Sequence, residues 1–528
     1  MTFYSEDFLN KKLYSSFKDR SDKILYEMVK RISFLVYKQY KTVKSIYFHN
    51  LSRFDGIILL KHLICHHPYY IIQPLIRNHR IYEIKVYKKM QQEVDSKMVA
   101  KKGVLLFSFK DSLNLLPGKQ DTLAQNLCPD LGCKYSFDHE QLKTVEDLSL
   151  REKELLEYLK QDVLLLGGVM KKAQEIIYNL YNVNIVGVLT ISSLAIRIFR
   201  MKYYEASSFP IHIPNKNEDT FIRKGYYGGH VDVYKSRGEN LFYYDVNSLY
   251  PYVMQKYPMP AGKPYWNGDL RNKNPFLPYR DKDNGSLIFP TGYFVGVYYS
   301  EELKYARDLG YTVYPLRGYL FKKTESPFKT FVNDLYNSRL EAKKNGNEAM
   351  SYVYKILMNS LYGRFGINPK MTITEICDQD SYNQLVRMKT FINGDKLNED
   401  TYVASFIKDD ETYSWEPPKN AAVQIAAAIT ACARIHMYPY IARDDCYYTD
   451  TDSIVLGNPL SDEMVSSSVL GKLKLEDQIV SGVFLAPKTY YSKPIDGKDV
   501  IKHKGAANQF VDIDWFEKQY ANIKNKQK

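Results

Sequence analysis

Two acidic segments, far apart in the chain, have the residue types needed to hold divalent metal ions. The run YYDVNSLYP ends a strand-like stretch with Asp245, and YYTDTDSIV places Asp450 and Asp452 in a tight turn between two strand-like stretches. If folding brings Asp245 and Asp452 together, their carboxylates could hold two Mg²⁺ ions roughly 4 Å apart, which suits phosphoryl transfer. An acidic turn alone is more often a solvated surface feature, so this interpretation depends on both segments.

A third segment, KILMNSLYG, supplies positive charge on a helix. Lys355, Asn359 and Tyr362 follow the spacing i, i+4, i+7, which places them on one helical face. Arg339 and Lys343 lie upstream, also at i, i+4. Such a pair is usually a solvated helix face, but cations facing a triphosphate stabilise the charge that develops during phosphoryl transfer. Together the three segments predict nucleotidyl transfer from a nucleoside triphosphate.

The elements that must position these side chains alternate between strands and helices. The stretches that carry Asp245 and the Thr449–Asp452 turn are predicted to be strands because they are apolar and rich in tyrosine. Residues 367–418 are polar and are predicted to be irregular or hairpin-like. Apolar spacing predicts three long helices, at about 150–181, at 328–361 and at Ala421–Met437. If the first helix is interrupted, the break would fall at Gly167–Gly168. The second helix would end at Gly363, as glycine often ends a helix.

Composition points to a nucleic-acid partner and away from membranes. The 528 residues carry a formal net charge of +13, which favours a polyanionic partner, although a basic surface kept for solubility is the alternative. The 47 tyrosines could stack on bases, but AT-rich coding is the simpler explanation. The six cysteines complete no zinc site. No stretch has the roughly 20 apolar residues of a membrane span, and we expect no membrane partner.

The three segments resemble motifs A, B and C of family B DNA polymerases. Their wording is similar to the protein-primed branch found in certain bacteriophages and in linear plasmids of fungal and plant mitochondria. Two further segments fit the same family. YYGG, with Tyr226, Gly228 and Gly229, is similar to the family segment that binds template, and KTY, with Lys488 and Tyr490, is similar to the motif that holds the primer end.

The resemblance implies a role for each residue of the site. It makes Asp245 and Asp452 the metal ligands for two Mg²⁺ ions, for which Mn²⁺ may substitute, with Asp450 beside them. Tyr250 is expected to lie under the sugar of the incoming nucleotide, where its ring would leave no room for a 2′-hydroxyl. The remaining nucleotide-binding residues are expected to contact the triphosphate (Arg339, Lys343 and Lys355), to pack near the nascent base pair (Tyr362) and to support the helix–turn geometry (Asn359).

A second, hydrolytic constellation lies in the N-terminal third. FHNLSRFDG carries Asn50 and Asp55, and YLKQDVLLL places Tyr158 and Asp162 at i, i+4 on a helix. The latter pair alone would be an ordinary helix surface, but a carboxylate that holds a metal and a phenol that orients water suit hydrolysis. The two segments resemble the second and third motifs of the family's 3′–5′ proofreading exonuclease. The first motif, Asp-x-Glu, is missing before Asn50, so we expect a weak or inactive exonuclease or a chain shortened at its N-terminus.

The predicted fold class is α/β and α+β multidomain. An RNase-H-like, N-terminally incomplete exonuclease-like domain (1–182) is followed by a polymerase domain (183–528). The polymerase domain is divided as follows: palm 225–260 and 421–490, fingers about 328–366, insertions about 261–327 and 367–420, and a short thumb 491–528.

By resemblance, the chain is expected to be a template-directed DNA polymerase that adds dNTPs to a primer 3′-hydroxyl. Its expected partners are DNA template and primer, dNTPs and a terminal protein that primes synthesis of a linear plasmid, and its expected location is the mitochondrion. The alternative is a catalytically decayed plasmid remnant that still binds nucleic acid. Reverse transcription or RNA synthesis is a third hypothesis, which the segment Lys355–Gly363 opposes.

Overall fold

The computed structural model describes most of the chain and divides it into two compact units. The described residues are 20–38, 44–65, 70–77, 80–94, 97–270, 292, 294–369, 372–397, 399, 401–407, 416–418, 420–505 and 510–526. Unit 1 comprises Met1–Ile198, Asn345–Val353 and Asn368–Trp415, and unit 2 comprises Phe199–Lys344, Tyr354–Ile367 and Glu416–Lys528. In this division the first boundary follows Ile198, and residues 368–415 group with Met1–Ile198. The predicted domain boundaries and the functions attached to them stay predictions.

Helices and strands are interleaved along the whole chain. The helices are α1 (Arg20–Lys38), α2 (Asp55–Cys65), α3 (Gln120–Leu127), α4 (Val145–Leu150), α5 (Glu152–Tyr181), α6 (Ile191–Ile198), α7 (Lys216–Arg223), α8 (Leu249–Lys256), α9 (Ser300–Asp308), α10 (Lys329–Lys344), α11 (Glu348–Ser360), α12 (Gln379–Val386), α13 (Val423–Ile441) and α14 (Ile513–Lys526). The strands are β1 (Ser45–Phe48), β2 (Tyr70–Arg77), β3 (Arg80–Val94), β4 (Lys97–Asp111), β5 (Val231–Val233), β6 (Arg237–Val246), β7 (Met259–Asn267), β8 (Gly318–Thr324), β9 (Thr372–Cys377), β10 (Phe391–Lys396), β11 (Tyr402–Ile407), β12 (Cys446–Asp450), β13 (Ser453–Leu456), β14 (Leu473–Ala486), β15 (Thr489–Pro494) and β16 (Val500–Lys502).

Unit 1 is built on a mixed sheet of order β1-β4-β3-β2. β1 runs parallel to β4, which pairs Ser45 with Ser108 and Phe48 with Asp111. Helices α1 and α2 contribute to the core on this sheet, which contains the buried rings of Phe107 and Phe109. Because β1 is parallel to β4, the residues that follow both strands meet at one edge of the sheet.

Strands β9, β10 and β11, from the region predicted to be irregular or hairpin-like, form a second small sheet in the same unit. β10 and β11 are an antiparallel hairpin, as the hairpin-like prediction allows, and β9 pairs with the other edge of β11. Ile376 and Leu397 from this region pack against the core of unit 1.

Helix α5 runs without interruption through Gly167–Gly168. A Cβ on Gly168 would lie 2.3 Å from a methyl of Leu131 and 3.1 Å from Cys128 Sγ. Gly168 is therefore a site of close packing and not a helix break, so an interruption at this point, which the sequence had left open, does not occur.

Unit 2 is built on a seven-stranded antiparallel sheet of order β16-β15-β14-β6-β13-β12-β5. Helix α13, predicted as Ala421–Met437, is buried along most of its length because alanine side chains let neighbouring elements approach closely. β15 and β16, which include part of the predicted thumb, extend the sheet, and α14 packs on it through the buried ring of Phe516. Among the described residues, no helix is long and apolar enough to cross a membrane.

The predicted single helix over 328–361 is wrong. The stretch contains α10 and α11, which are separated at Asn345–Asn347, where Gly346 has a left-handed φ of +66°. The Asn347 side chain accepts a hydrogen bond from the N–H of Met350 and so favours a new helix start. α11 ends at Ser360 and a 3₁₀ turn follows at Tyr362–Arg364, so Gly363 is not the helix stop.

Candidate active site

Strand pairing brings the two acidic segments together. β6 and β13 are antiparallel neighbours, and their register places Asp245 opposite Ser453, the residue after Asp452. The N–H of Val246 donates to the carbonyl oxygen of Asp452 at 2.8 Å. The apolar residues of β13 are buried, and Thr451 takes a left-handed φ of +63° in the turn before it. The folded chain therefore holds Asp245 and Asp452 at one edge of the sheet.

The electrostatics of this pair reflect crowded negative charge. Burial, then the neighbouring carboxylates of Asp452 and Glu476, raises the pKa of Asp245 to about 7, against the opposing influence of Lys474 and Lys355. The ammonium of Lys355 is thus within electrostatic range of Asp245. Among the described residues, no cluster of three or more His, Cys, Asp or Glu side chains suited to a metal occurs.

Asp450, which acts electrostatically on Asp452, forms an ion pair with Lys488. The Lys488 ammonium lies 2.7 Å from both carboxylate oxygens of Asp450. The Lys488 N–H donates to the hydroxyl of Tyr448 at 3.0 Å, and the ring of Tyr490 contacts the ring of Tyr448 with centroids 5.1 Å apart. The predicted primer-holding motif therefore lies against the acidic turn, and its role in holding a primer stays a prediction.

Three tyrosines predicted for the site, Tyr226, Tyr250 and Tyr362, lie close to one another, and Asp452 acts electrostatically on the last two. The ring of Tyr250 stacks on that of Tyr362, with centroids 4.1 Å apart and an interplanar angle of 26°. Burial, followed by the neighbouring Tyr362, raises the pKa of Tyr226. Burial, Tyr362 and Asp452 together raise the pKa of Tyr250. The stack fixes the orientation of both rings beside the acidic turn.

The predicted cations divide between two helices. Lys355 and Asn359 occupy the exposed face of α11, while Leu357 and Met358 on its other side are buried. Tyr362 lies beyond the helix, in the 3₁₀ turn. The predicted shared face therefore holds for Lys355 and Asn359 only.

The other two predicted cations lie on α10, which the break at Gly346 separates from α11. Lys343 is exposed. Burial lowers the pKa of Arg339, and its buried Nε has no hydrogen-bond partner among the described residues.

The YYGG segment packs directly against the acidic turn. A Cβ on Gly229 would lie 2.5 Å from Thr451 Cγ2, so only glycine fits there. The N–H of Thr451 also donates to the carbonyl oxygen of His230 at 2.8 Å. Gly228 is exposed, and a Cβ on it would meet no heavy atom within 4 Å.

An arginine that sequence reasoning missed holds this segment in place. Arg434 of α13 donates to both carboxylate oxygens of Glu302, at 2.7 and 2.8 Å. Its remaining terminal nitrogen donates to the carbonyl oxygens of Tyr227 and Gly228, at 2.9 and 2.8 Å. The signal for it was a lone charge within the small-residue run of α13.

Asp111, also missed, organises the first half of the exonuclease-like site in unit 1. Its buried carboxylate accepts hydrogen bonds from the N–H groups of Asn50, Ser52 and Leu113, at 3.0, 3.4 and 3.0 Å. Asn50 takes a left-handed φ of +67°, which the bond to Asp111 supports. Burial raises the pKa of Asp55, and the Asp111 carboxylate adds to the rise.

Lys134 contacts both residues of the second half of the exonuclease-like site, Tyr158 and Asp162. The ammonium of Lys134 lies 2.8 Å from Asp162 Oδ2 and 5.3 Å from the ring centre of Tyr158. The other oxygen of Asp162 is buried with no hydrogen-bond partner among the described residues. His49 has its pKa lowered, mainly by burial, and both Asp111 and Lys134 influence it electrostatically. The two halves therefore lie close together.

Replacing Asp111 with asparagine is expected to destabilise unit 1 by roughly 2 kcal/mol, because charge-assisted hydrogen bonds to three N–H groups are weakened. Urea unfolding and hydrogen exchange at the amides of residues 50 and 52 would measure the loss. Asp130→Asn, at an exposed position of the same unit, is the matched control. Equal stability and exchange in the two variants would contradict the prediction.

Comparison with known proteins identifies the family. Residues 38–151, 149–274 and 267–446 match the family model described as DNA polymerase type B, organellar and viral. A probable DNA polymerase of Podospora anserina is 31% identical over 86% of this chain and 43% of its own length. One of Neurospora intermedia is 29% identical over 92% of this chain and 55% of its own length. The chain thus spans about half the length of these curated relatives.

The fold has a solved counterpart. A structure of phi29 DNA polymerase complexed with primer-template DNA and incoming nucleotide substrates superimposes with a TM-score of 0.65 at 18% identity, covering 92% of this chain and 88% of that one. This likeness confirms the predicted multidomain class of mixed helices and sheets. With the family match over most of its residues, the chain belongs to the organellar and viral family of type B DNA polymerases.

Proposed function

We propose that this chain is a DNA-directed DNA polymerase that adds deoxynucleotides to a primer hydroxyl under the direction of a template. The observation that carries the proposal is the register of β6 and β13, which holds Asp245 beside Asp452 within electrostatic range of Lys355. Acidic ligands opposite a cation are what transfer of a nucleotidyl group requires, because both the attacking oxygen and the leaving pyrophosphate develop charge.

Asp245 and Asp452 fit a divalent cation. Their oxygens are hard ligands, and the raised pKa of Asp245, which follows from burial and from Asp452, marks negative charge that a cation would neutralise. When bound there, Mg²⁺ or Mn²⁺ would lower the pKa of the primer hydroxyl and neutralise charge on the leaving pyrophosphate.

The side chains around the acidic pair bind and orient the reactants. Lys355 and Arg339, with Lys343, would hold the triphosphate by charge. The stacked rings of Tyr250 and Tyr362 would bound the space for the sugar and the base pair. Orientation of this kind raises the rate because the reacting groups are held in place before reaction.

Residues on the neighbouring surface would bind the nucleic acid. The open space beside the Cα of the exposed Gly228 leaves room for a template strand to approach closely. Lys488 and Tyr490, beside the acidic turn, would meet the primer end.

Primer extension tests the proposal. Purified chain with a primed DNA template, dNTPs and Mg²⁺ or Mn²⁺ is expected to give template-directed products. An RNA template and ribonucleotides, tested in parallel, separate DNA synthesis from reverse transcription and RNA synthesis. DNA binding without any extension would refute the polymerase and support the alternative, a decayed nucleic-acid-binding remnant.

We also propose that the exonuclease of this chain is weak or inactive, because the Asp162 carboxylate already binds the Lys134 ammonium. Labelled single-stranded DNA incubated with Mg²⁺ and no dNTPs is expected to be degraded little. The small rate that remains is expected to be the same in Asp162→Ala as in the control Asp130→Ala. A rate that falls in Asp162→Ala alone would contradict this.

Initiation on a terminal protein, replication of a linear plasmid and location in the mitochondrion belong to the same proposal. The family description, organellar and viral, and the fungal origin of both relatives support them. DNA ends that carry covalently bound protein, isolated from mitochondria of the source organism, would be the expected finding. Free plasmid ends would refute protein priming.

A further inference from the structure

The loop 466–472, between β13 and β14, is bonded to the turn that carries Asp245. Asn247, in that turn, makes four hydrogen bonds to the loop. Its side-chain nitrogen donates to the carbonyl oxygens of Ser466 and Val469, at 2.7 and 3.1 Å. Its backbone N–H donates to the carbonyl oxygen of Lys472 at 2.9 Å, and its carbonyl oxygen accepts from the N–H of Gly471 at 3.0 Å. These bonds use the loop backbone, so its position follows that of the acidic turn.

The same loop is bonded to helix α10. The hydroxyl of Tyr336 donates to the carbonyl oxygen of Ser468 at 2.5 Å, and the Tyr336 side chain is buried. Ser466 Oγ accepts hydrogen bonds from the N–H groups of Ser468 and Val469, which stiffens the loop between its two attachments. This short, internally bonded segment therefore links helix α10 to the Asp245 turn, beside the direct packing of α8 on α10.

Arg339 lies on α10 one turn after Tyr336, and the two side chains interact electrostatically. Its buried Nε has no hydrogen-bond partner among the described residues. The Arg339 residue as a whole is only partly buried, so its charge could meet an anion at a position that Tyr336 helps to define.

We propose that the loop 466–472 is a spacer that fixes the separation between Arg339 and the Asp245 turn, with Tyr336 and Asn247 as positioning residues for the incoming nucleoside triphosphate. The inference rests on the proposed function. A triphosphate has a limited length, so Arg339 and the acidic turn can engage it together only when their separation is held. Neither positioning residue needs to touch the substrate, because each acts through the backbone of the loop.

Tyr336→Phe tests the spacer, because it keeps the ring and removes only the hydroxyl. We expect the KM for dNTPs to rise roughly fivefold, as for the loss of one hydrogen bond, with kcat and the Kd for primer–template within about twofold of the original chain. Asn247→Ala is expected to raise the same KM further. Because both act through one loop, the double variant should show less than the product of the two effects.

The matched control is Tyr204→Phe, which removes another tyrosine hydroxyl that bonds a backbone group in unit 2, that of Ile211. It is expected to leave the KM for dNTPs unchanged. An unchanged KM in Tyr336→Phe, a parallel change in the Kd for DNA, or fully multiplicative effects in the double variant would overturn the spacer and leave the polymerase intact. Absence of extension by the unsubstituted chain would refute the proposed function, and the spacer with it.

Discussion

Asp452→Ala is expected to reduce primer extension roughly 1000-fold or more while the chain still binds primer–template DNA. Asp452 is joined to β6 through its backbone carbonyl, which the substitution retains, so the turn should keep its place. What the substitution removes is one of the two carboxylates proposed to hold the metal ions, and the charge of the reacting phosphate would then be left without compensation. Loss of a negative charge near DNA should, if anything, tighten binding.

Single-turnover extension and a gel-shift or anisotropy titration would separate the two effects. Asp462→Ala, at an exposed aspartate of the same unit, makes the same change of charge and should extend primers normally. If Asp452→Ala retains extension, the assignment of the acidic pair is wrong. If it loses DNA affinity as well, the effect comes from a disturbed turn and not from the chemistry.

Local pattern was enough to predict the parts of the site that depend on a single element. Asp245 lies near the C-terminal end of β6 and Asp450 is the last residue of β12, so the apolar, strand-like runs before them let the sequence predict where these carboxylates lie. The small-residue helix α13 was predicted for the same reason. Lys355 and Asn359 share an exposed face because the helical period fixes it.

The break at Gly346 shows where that reading fails. Apolar spacing continues through 328–361 and predicted one helix, but the run Asn345–Gly346–Asn347 is also a turn signal. A left-handed glycine followed by an asparagine cap outweighed the period. The turn residues at 345–347 indicated the break, but the apolar spacing over the longer stretch favoured a single helix.

The contacts that hold the sites could not be predicted, because each joins residues distant in the sequence. Lys134 joins Tyr158 and Asp162, and Arg434 binds Glu302 across the fold of unit 2. A charged side chain at the surface and one that binds a backbone segment have the same sequence signature, and only tertiary structure distinguishes them. Arg434 was the exception, because an arginine within a run of alanines stands out in the sequence and indicates a specific contact.

Tyr250→Val is expected to raise the ratio of ribonucleotide to deoxynucleotide incorporation roughly 100-fold, through a higher kcat/KM for ribonucleotides. The ring of Tyr250 stacks on Tyr362 at 4.1 Å, so it cannot turn aside to admit a 2′-hydroxyl without breaking that stack. Valine removes the ring and opens the space, whereas Tyr250→Phe keeps the ring and should retain discrimination.

The loss of sugar discrimination should depend on the ring of Tyr250 and not on its hydroxyl. This dependence distinguishes the loss of a sugar-selecting ring from a general increase in the mobility of the site. Competition between each dNTP and its ribonucleotide on one template measures the ratio directly. Tyr362→Val removes the ring that supports Tyr250 but keeps Tyr250 itself. Because Tyr250 can then move but still occupies part of the space, discrimination should fall less than in Tyr250→Val. If Tyr250→Val discriminates between sugars as well as the unsubstituted chain does, Tyr250 does not select the sugar. If Tyr250→Phe loses as much discrimination as Tyr250→Val, the hydroxyl and not the ring makes the selection.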